Sequence, residues 1–153
     1  MPIHGPSTSD VSLREVTQAN VSGLVGLRVA PEQARFVAPN GDTIAEGAFT
    51  PAVWMRGIYS GEEPVGFLAL FTDEAKSFYC LWRFMIAAGQ QRRGLGSAAL
   101  ALLVEHVRIL PGARELVTSY VPGDGDPSAF YAKHGFVETD EVEDGERVMK
   151  LAL

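Results

Sequence analysis

The sequence predicts one α/β domain in which helices flank a mixed, mostly antiparallel central sheet. This prediction depends on three strand-like segments joined by short polar turns and on a glycine-rich turn that opens an amphipathic helix. Hydrophobic residues make up 46% and charged residues 21% of the 153 residues, which excludes disordered, collagen-like and coiled-coil chains. Residues 1–10 have little to bury and are expected to form a flexible tail, so the domain is assigned to 11–153.

The first part of the domain is predicted to contain a strand and two helices. Alternating side chains favour a short strand over residues 11–16, and Thr17 precedes a capped helix. The turn signal at residues 39–41 comes before a cap-like Asp42, so a second helix is expected over residues 42–49. The segment between the two helices is predicted to be a loop.

Three strands follow as a meander, and the third is predicted to lie in the centre of the sheet. They cover residues 52–59, 65–71 and 78–86, with polar turns between them. Strict alternation divides the third strand into two faces: Tyr79, Leu81, Arg83 and Met85 on one, and Cys80, Trp82, Phe84 and Ile86 on the other. Both faces are largely apolar, which is typical of a central strand.

Helices and strands alternate in the remainder of the chain. Apolar residues recur at helical spacing over residues 100–107 until Pro111 and Gly112, which predicts a long helix. A strand follows at residues 115–121, then a short helix that ends at Gly135, and then two final strands. The predicted order is therefore β-α-α-β-β-β-α-β-α-β-β.

Charge and cysteine content limit the partners and the compartment. Lys and Arg number 13 against 19 Asp and Glu, a net charge of −6, which excludes a nucleic acid bound mainly through its phosphates. Cationic small molecules are expected to be attracted. The single Cys80 cannot form an internal disulfide, and no apolar run approaches the ~20 residues that span a bilayer. We expect a soluble, cytoplasmic protein without a membrane partner.

The chemistry is expected at the glycine-rich turn between the third meander strand and the long helix. Residues 91–96 read Q-x-x-G-x-G at the start of the predicted helix. The unpaired N–H groups and the dipole of a helix N-terminus attract an anion, and glycines let the anion approach the backbone closely. Arg92 and Arg93 add positive charge. A P-loop is excluded because Leu95 occupies its lysine position. A dinucleotide fingerprint also matches these glycines, but a meander precedes them where a βαβ unit is required.

Together with a second motif, this turn resembles the GNAT superfamily of N-acetyltransferases. The second motif, residues 130–136, reads F-Y-x-K-x-G-F, and the likeness in element order extends from Val11 to the C-terminus. Within the superfamily, residues 81–86 and 36–49 look like bacterial diamine and spermidine acetyltransferases. The resemblance implies a GNAT-like fold and transfer of an acetyl group from acetyl-CoA, without a metal, to a primary amine.

The resemblance also implies roles for particular residues. Tyr131 is the expected proton donor to the departing thiolate, since a phenol with a pKa of ~10 stays protonated at neutral pH; an ordinary half-buried helix aromatic is the alternative. The coenzyme is expected to contact the end of the third meander strand and the glycine turn: Met85, Ile86, Gln91, Arg92, Arg93, Gly94, Leu95, Gly96 and Ser97.

The acceptor side is open to more than one interpretation. Asp42 and Glu46, four residues apart on the second helix, are candidates for a general base or for attracting a cationic amine, with a solvated surface as the alternative. Trp82 and Tyr120 are candidates for the walls of an acceptor pocket, with core packing as the alternative. Cys80 is not favoured as an acyl carrier because a thiol among apolar neighbours is usually inert.

Two functions follow from these observations. The first is an N-acetyltransferase that moves an acetyl group to a small cationic amine, such as a diamine or polyamine, by direct attack in a ternary complex. The second is a catalytically silent acyl-CoA-binding sensor or interaction domain. The family's final strands often pair across a dimer, so the resemblance also leaves a homodimer open.

Overall fold

The computed structural model describes residues 10–153, so the predicted tail lies outside the described residues except for Asp10. Its strands are β1 Val11–Glu15, β2 Val53–Ser60, β3 Glu63–Asp73, β4 Phe78–Ile86, β5 Glu115–Tyr120, β6 Val137–Glu143 and β7 Glu146–Ala152. They form one seven-stranded sheet in the order β1-β2-β3-β4-β5-β7-β6. Only β4 and β5 pair in parallel, so the predicted mixed, mostly antiparallel sheet is confirmed.

Within residues 10–153, four α-helices accompany the sheet: α1 Val21–Gly26, α2 Asn40–Gly47, α3 Leu95–Arg108 and α4 Ser128–Lys133. The predicted order of strands and helices is confirmed. The prediction of a loop between α1 and α2 is wrong in one part, because Pro31–Phe36 forms a 3-10 helix. Proline fits its first position, where no N–H is required, and so short a helix leaves no 3.6-residue period in the sequence.

A β-bulge in β4 overturns the predicted alternation of its side chains. The pairing with β3 shifts so that Trp82 is the extra residue between Leu81 and Arg83. An extra residue exchanges the two faces of a strand beyond the point of insertion. The face toward α3 carries Tyr79, Leu81, Phe84 and Ile86, and the opposite face carries Cys80, Trp82, Arg83 and Met85.

The parallel pair β4 and β5 is short, and this opens the sheet at its centre. Only Cys80 with Val117 and Leu81 with Thr118 are paired. The second half of β4, toward Ile86, therefore runs on without a partner on that side. This opening is where a ligand can reach the backbone of a central strand.

Helix packing fixes the elements around the opening. The largest apolar cluster joins the sheet to α3, α4 and the strands that follow them, and Leu100, Leu103 and Val107 of the predicted helical stripe are buried in it. On the other face, Asn40 is 2% exposed, and its side-chain amide donates to the carbonyl of Leu24 at 2.9 Å. Among residues 10–153, no helix combines the length and the apolar character needed to cross a bilayer.

Candidate active site

A cavity of about 840 Å³ lies where β4 and β5 separate. Its lining comes from residues 81–86 of β4, the end of β5, the 3-10 helix, the glycine turn and α4. This volume is within the range of small-molecule sites. Most of the site residues predicted from the sequence line it: Trp82, Met85, Ile86, Gln91, Arg92, Gly94, Leu95, Gly96, Ser97, Tyr120 and Tyr131.

The glycine turn presents free backbone N–H groups to this cavity. Arg92 and Gly94 both have left-handed backbone conformations, with φ of 65° and 77°. The first hydrogen bond within α3 runs from the N–H of Ala98 to the carbonyl of Gly94 at 3.1 Å, so the N–H groups before Ala98 are not used by the helix. No side chain caps them. Their shared direction and the helix dipole make this end of the cavity suited to an anion.

Gln91 lines the cavity and also holds the turn in place. Its side-chain amide donates to the carbonyl of Ile86 at 2.8 Å and to Oε1 of Gln33 at 2.7 Å. The turn is thereby tied both to the end of β4 and to the 3-10 helix. Of the two arginines predicted to contact the coenzyme, Arg92 lines the cavity, whereas Arg93 is exposed and lies outside the lining. Both arginines are exposed, and Nη1 of Arg93 donates to Oε1 of Gln90 at 3.5 Å. A contact of Arg93 with the coenzyme stays a prediction.

Tyr131 lies on α4 at the opening between β4 and β5. It is 5% exposed, and its ring centre lies 5.6 Å from that of Phe130 and 5.3 Å from that of Phe136. Burial raises the pKa of Tyr131 to about 12, and a hydrogen bond with Thr118 acts in the opposite direction. The phenol therefore keeps its proton throughout the neutral range while it faces the cavity.

Contacts at both ends hold α4 against the cavity. Ser97 Oγ and His134 Nε2 are 2.9 Å apart and join the start of α3 to the end of α4. At the other end, Asp126 accepts hydrogen bonds from the backbone N–H groups of Ser128 and Gly123 at 2.9 and 3.0 Å. Burial alone would raise the pKa of Asp126, but these hydrogen bonds outweigh it and lower the pKa. Asp126 thus ties together the residues that lead into α4.

The predicted acceptor residues divide into two groups. Trp82 and Tyr120 line the cavity, and the hydroxyl of Tyr120 donates to Glu138. Asp42 and Glu46 do not line it, because both are exposed on the outer surface of α2. The buried face of that helix is formed by Asn40, Thr43 and Gly47 instead. The structure therefore contradicts a place for Asp42 and Glu46 in the acceptor pocket.

Sequence reasoning missed three parts of the cavity. Arg83 lines it because both faces of β4 border the opening beside β5, and Glu146 lines it because β7 pairs with β5. Residues 33–39 line it because the 3-10 helix lies beside the glycine turn. None of these placements has a local signal in the sequence.

Cys80 lies beside this site but is a poor nucleophile. Burial, with smaller effects from Glu143 and Glu146, raises the pKa of its thiol to about 12, and Arg83 acts in the opposite direction. The thiol is therefore protonated at neutral pH, whereas nucleophilic cysteines act as thiolates. Within residues 10–153, no group of three or more His, Cys, Asp or Glu side chains is arranged to hold a metal ion.

Comparison with known families decides the identity of this site. The model of the acetyltransferase (GNAT) family matches residues 29–136, more than half of the chain, including the glycine turn and α4. The chain belongs to this family. The predicted acetyl-CoA-dependent acetyltransferase is confirmed as the enzyme class. No curated protein sequence matches the chain, so the comparison gives no narrower assignment.

Solved structures with the same fold have little sequence in common with this acetyltransferase. The GNAT domain of S. lividans PAT has a TM-score of 0.75 at 17% identity, over 94% of this chain and 89% of that one. The paia N-acetyltransferase of Thermoplasma acidophilum, in complex with coenzyme A, has a TM-score of 0.70 at 13% identity, over 94% of this chain and 99% of that one. A GNAT acetyltransferase of Elizabethkingia anophelis with acetyl-CoA bound has a TM-score of 0.65 at 15% identity, over 94% of this chain and 99% of that one. These similarities confirm the fold.

Proposed function

We propose that residues 11–153 form an N-acetyltransferase domain that moves the acetyl group of acetyl-CoA to an amine by direct attack within a ternary complex. The observation that carries this proposal is one cavity that connects the glycine turn to the buried phenol of Tyr131. The T. acidophilum and E. anophelis proteins bind coenzyme A and acetyl-CoA. Their shared fold supports the same ligand for this cavity.

The glycine turn is the proposed site for the pyrophosphate of the coenzyme. The free N–H groups at the start of α3 donate to phosphate oxygens, and Arg92 adds a positive charge from the same side. Gln91 contributes by holding the turn against Ile86 and Gln33. Because the end of β4 has no partner strand at the opening, the backbone groups of Phe84 and Ile86, which point away from β3, are available to the pantetheine arm, whereas those of Met85 pair with β3.

The chemistry needs an amine nucleophile, stabilisation of the oxyanion and a proton for the departing sulfur. The nitrogen of the neutral amine forms a bond to the thioester carbonyl carbon, and the carbon–sulfur bond breaks. Tyr131 donates its proton to the thiolate, and the resulting tyrosinate takes up the proton that the amine nitrogen releases. A backbone N–H of β4 near Met85 is the proposed donor to the oxyanion. Cys80 forms no acyl intermediate in this scheme.

The charge of the acceptor is a separate question. The net charge of −6 and the likeness to diamine acetyltransferases favour a cationic amine, but the two carboxylates expected to attract it lie outside the cavity. The cavity is lined by more basic than acidic side chains: Arg35, Arg83, Arg92 and Lys133 against Asp126 and Glu146. Support for a polyamine acceptor therefore comes from the net charge and this likeness, and not from the side chains that line the cavity.

Mass spectrometry of a mixture of amines incubated with acetyl-CoA tests the proposed function. We expect acetylated amines in the presence of the wild-type protein and far less product with Tyr131→Phe at equal concentration. Calorimetric titration of coenzyme A into the same samples shows whether the coenzyme binds. Binding without any acetylated product would contradict the enzyme and favour the silent acyl-CoA-binding domain.

A further inference from the structure

The cavity contains an arginine that has no carboxylate partner. Arg83 lines the cavity from β4. Within the part of the chain that the structure describes, no Asp or Glu oxygen lies within 4.0 Å of its guanidinium nitrogens. Its Nε atom is buried without a hydrogen bond, and its Nη1 donates to the backbone carbonyl of Trp82 at 3.1 Å. Of the five N–H donors of this half-buried guanidinium, one has a hydrogen-bond partner among residues 10–153.

The neighbouring tryptophan holds this guanidinium in a fixed plane. The central carbon of Arg83 lies 4.3 Å from the centre of the Trp82 ring. A stacked guanidinium keeps its edge free for planar, bidentate contacts with a carboxylate. Arg14 and Arg56 also lie over aromatic rings, and each has a glutamate partner, at 3.0 and 3.9 Å. Arg35 lies over Phe36 without such a partner, but its Nη2 donates to the backbone carbonyl of Asp124 at 2.6 Å. Arg83 has the same stacking and lacks that partner.

The position of Arg83 separates it from the phosphate site. It lies three residues before Ile86, where β4 ends and the glycine turn follows. At ~3.3 Å per residue, this is roughly 10 Å along the strand from the beginning of the turn. The turn already supplies backbone donors and Arg92 for the phosphates. Arg83 therefore faces the part of the cavity that is left for the acceptor.

An unpaired charge that is partly removed from water destabilises the site until an opposite charge arrives. We propose that Arg83 binds a carboxylate of the acceptor, and that the acceptor is a small molecule carrying both an amino group and a carboxylate. This inference rests on the proposed function, because an acceptor exists only if acetyl transfer takes place. Glu146 lines the same cavity and offers the opposite charge to the ammonium form of such an acceptor.

Paired acceptors that differ only in the carboxylate test the inference. The panel contains L-amino acids, their carboxamides, 1,4-diaminobutane and spermidine, with release of the coenzyme thiol as the readout. We expect at least one amino acid to exceed its carboxamide in kcat/KM by about 10- to 100-fold, the size expected for hydrogen bonds to a charged group. Arg83→Gln should remove that preference, mainly through KM, and lower the rate with the amino acid far more than the rate with its carboxamide. Arg83→Lys should retain part of it.

A matched variant and two further outcomes complete the test. Arg114→Gln removes the same charge at an exposed position outside the cavity and should leave every rate unchanged. Acetylation of carboxamides or polyamines as efficiently as of amino acids, or an equal loss for both members of a pair in Arg83→Gln, would overturn the inference and leave acetyl transfer intact. The absence of thiol release with every acceptor would contradict the proposed function itself.

Discussion

The two ends of the cavity are built in different ways. The coenzyme end is a continuous stretch, from Ile86 at the end of β4 through the glycine turn to Ser97 in α3, and its donors are backbone groups. The acceptor end is assembled from β4, β5, the 3-10 helix and the first residue of β7, and its chemistry comes from side chains. A strand that runs directly into a helix creates an anion site locally, whereas a specific acceptor pocket requires distant segments to meet.

Tyr131 lies between the two ends, so its removal should have the largest effect on catalysis. Tyr131→Phe keeps the ring and its packing against Phe130 and Phe136 but cannot donate a proton. We expect kcat to fall by ~10²–10⁴-fold, the usual contribution of a general acid, with little change in coenzyme affinity. Steady-state rates and calorimetric titration together check this. A fully active Phe variant would make Tyr131 a packing residue and leave the proton donor unidentified.

Cys80 lies under the acceptor end, and its thiol should affect stability and not catalysis. A pKa of about 12 in the folded chain against 9.0 in the unfolded chain favours folding below pH 9, and this contribution is lost between pH 9 and 12. This pKa difference of three units corresponds to about 4 kcal/mol in the free energy of unfolding. We expect the unfolding free energy of the wild type to fall more steeply over this range than that of Cys80→Ala, as measured by denaturant titration.

The same Cys80→Ala protein provides the control on mechanism. It should keep its rate of acetyl transfer at neutral pH, because direct attack needs no acyl intermediate on sulfur. A large loss of kcat in a folded Cys80→Ala protein would contradict direct attack. Parallel stability curves for the two proteins above pH 9 would show that the thiol ionises as easily in the folded chain as in the unfolded chain.

The two glycines of the turn should differ, although the sequence motif treats them alike. Gly94 has φ of 77°, where an alanine costs ~1–2 kcal/mol, so Gly94→Ala should weaken coenzyme binding by about 10-fold as the turn relaxes. A methyl group on Gly96 would lie 3.6 Å from Phe130 and Ile86, an ordinary contact. Gly96→Ala should therefore bind within about 3-fold of the wild type. Equal affinities for both variants would contradict the turn geometry.

The smallest effects are expected at the two arginines beside the glycines. Arg92→Gln removes a charge that lines the cavity and should weaken coenzyme binding a few-fold, less as salt is added, because exposed charges are screened. Arg93→Gln is the matched change outside the cavity lining and should be close to neutral. Titrations at two ionic strengths check both variants. A larger effect for Arg93 would place the phosphates on the other side of the turn.

The sequence predicts the fold and the coenzyme end of the site because both depend on local patterns. Helical spacing gave α3, polar turns gave the meander, and the Q-x-x-G-x-G segment marked the anion site. The bulge at Trp82 could not be predicted, since it depends on the register with β3, and the sequence does not show that β4 and β5 separate beside Arg83. Asp42 and Glu46 have helical spacing, but the sequence does not show which face of α2 is buried. The homodimer and the cytoplasmic location stay predictions.

One calorimetric experiment tests the division of the cavity most directly: titration of coenzyme A into wild-type, Gly94→Ala and Arg83→Gln proteins under identical conditions. The wild type and Arg83→Gln should bind with the same affinity, because Arg83 faces the acceptor, and Gly94→Ala should bind about 10-fold more weakly. The opposite pattern, weak binding by Arg83→Gln and unchanged binding by Gly94→Ala, would contradict the division and move the coenzyme away from the glycine turn.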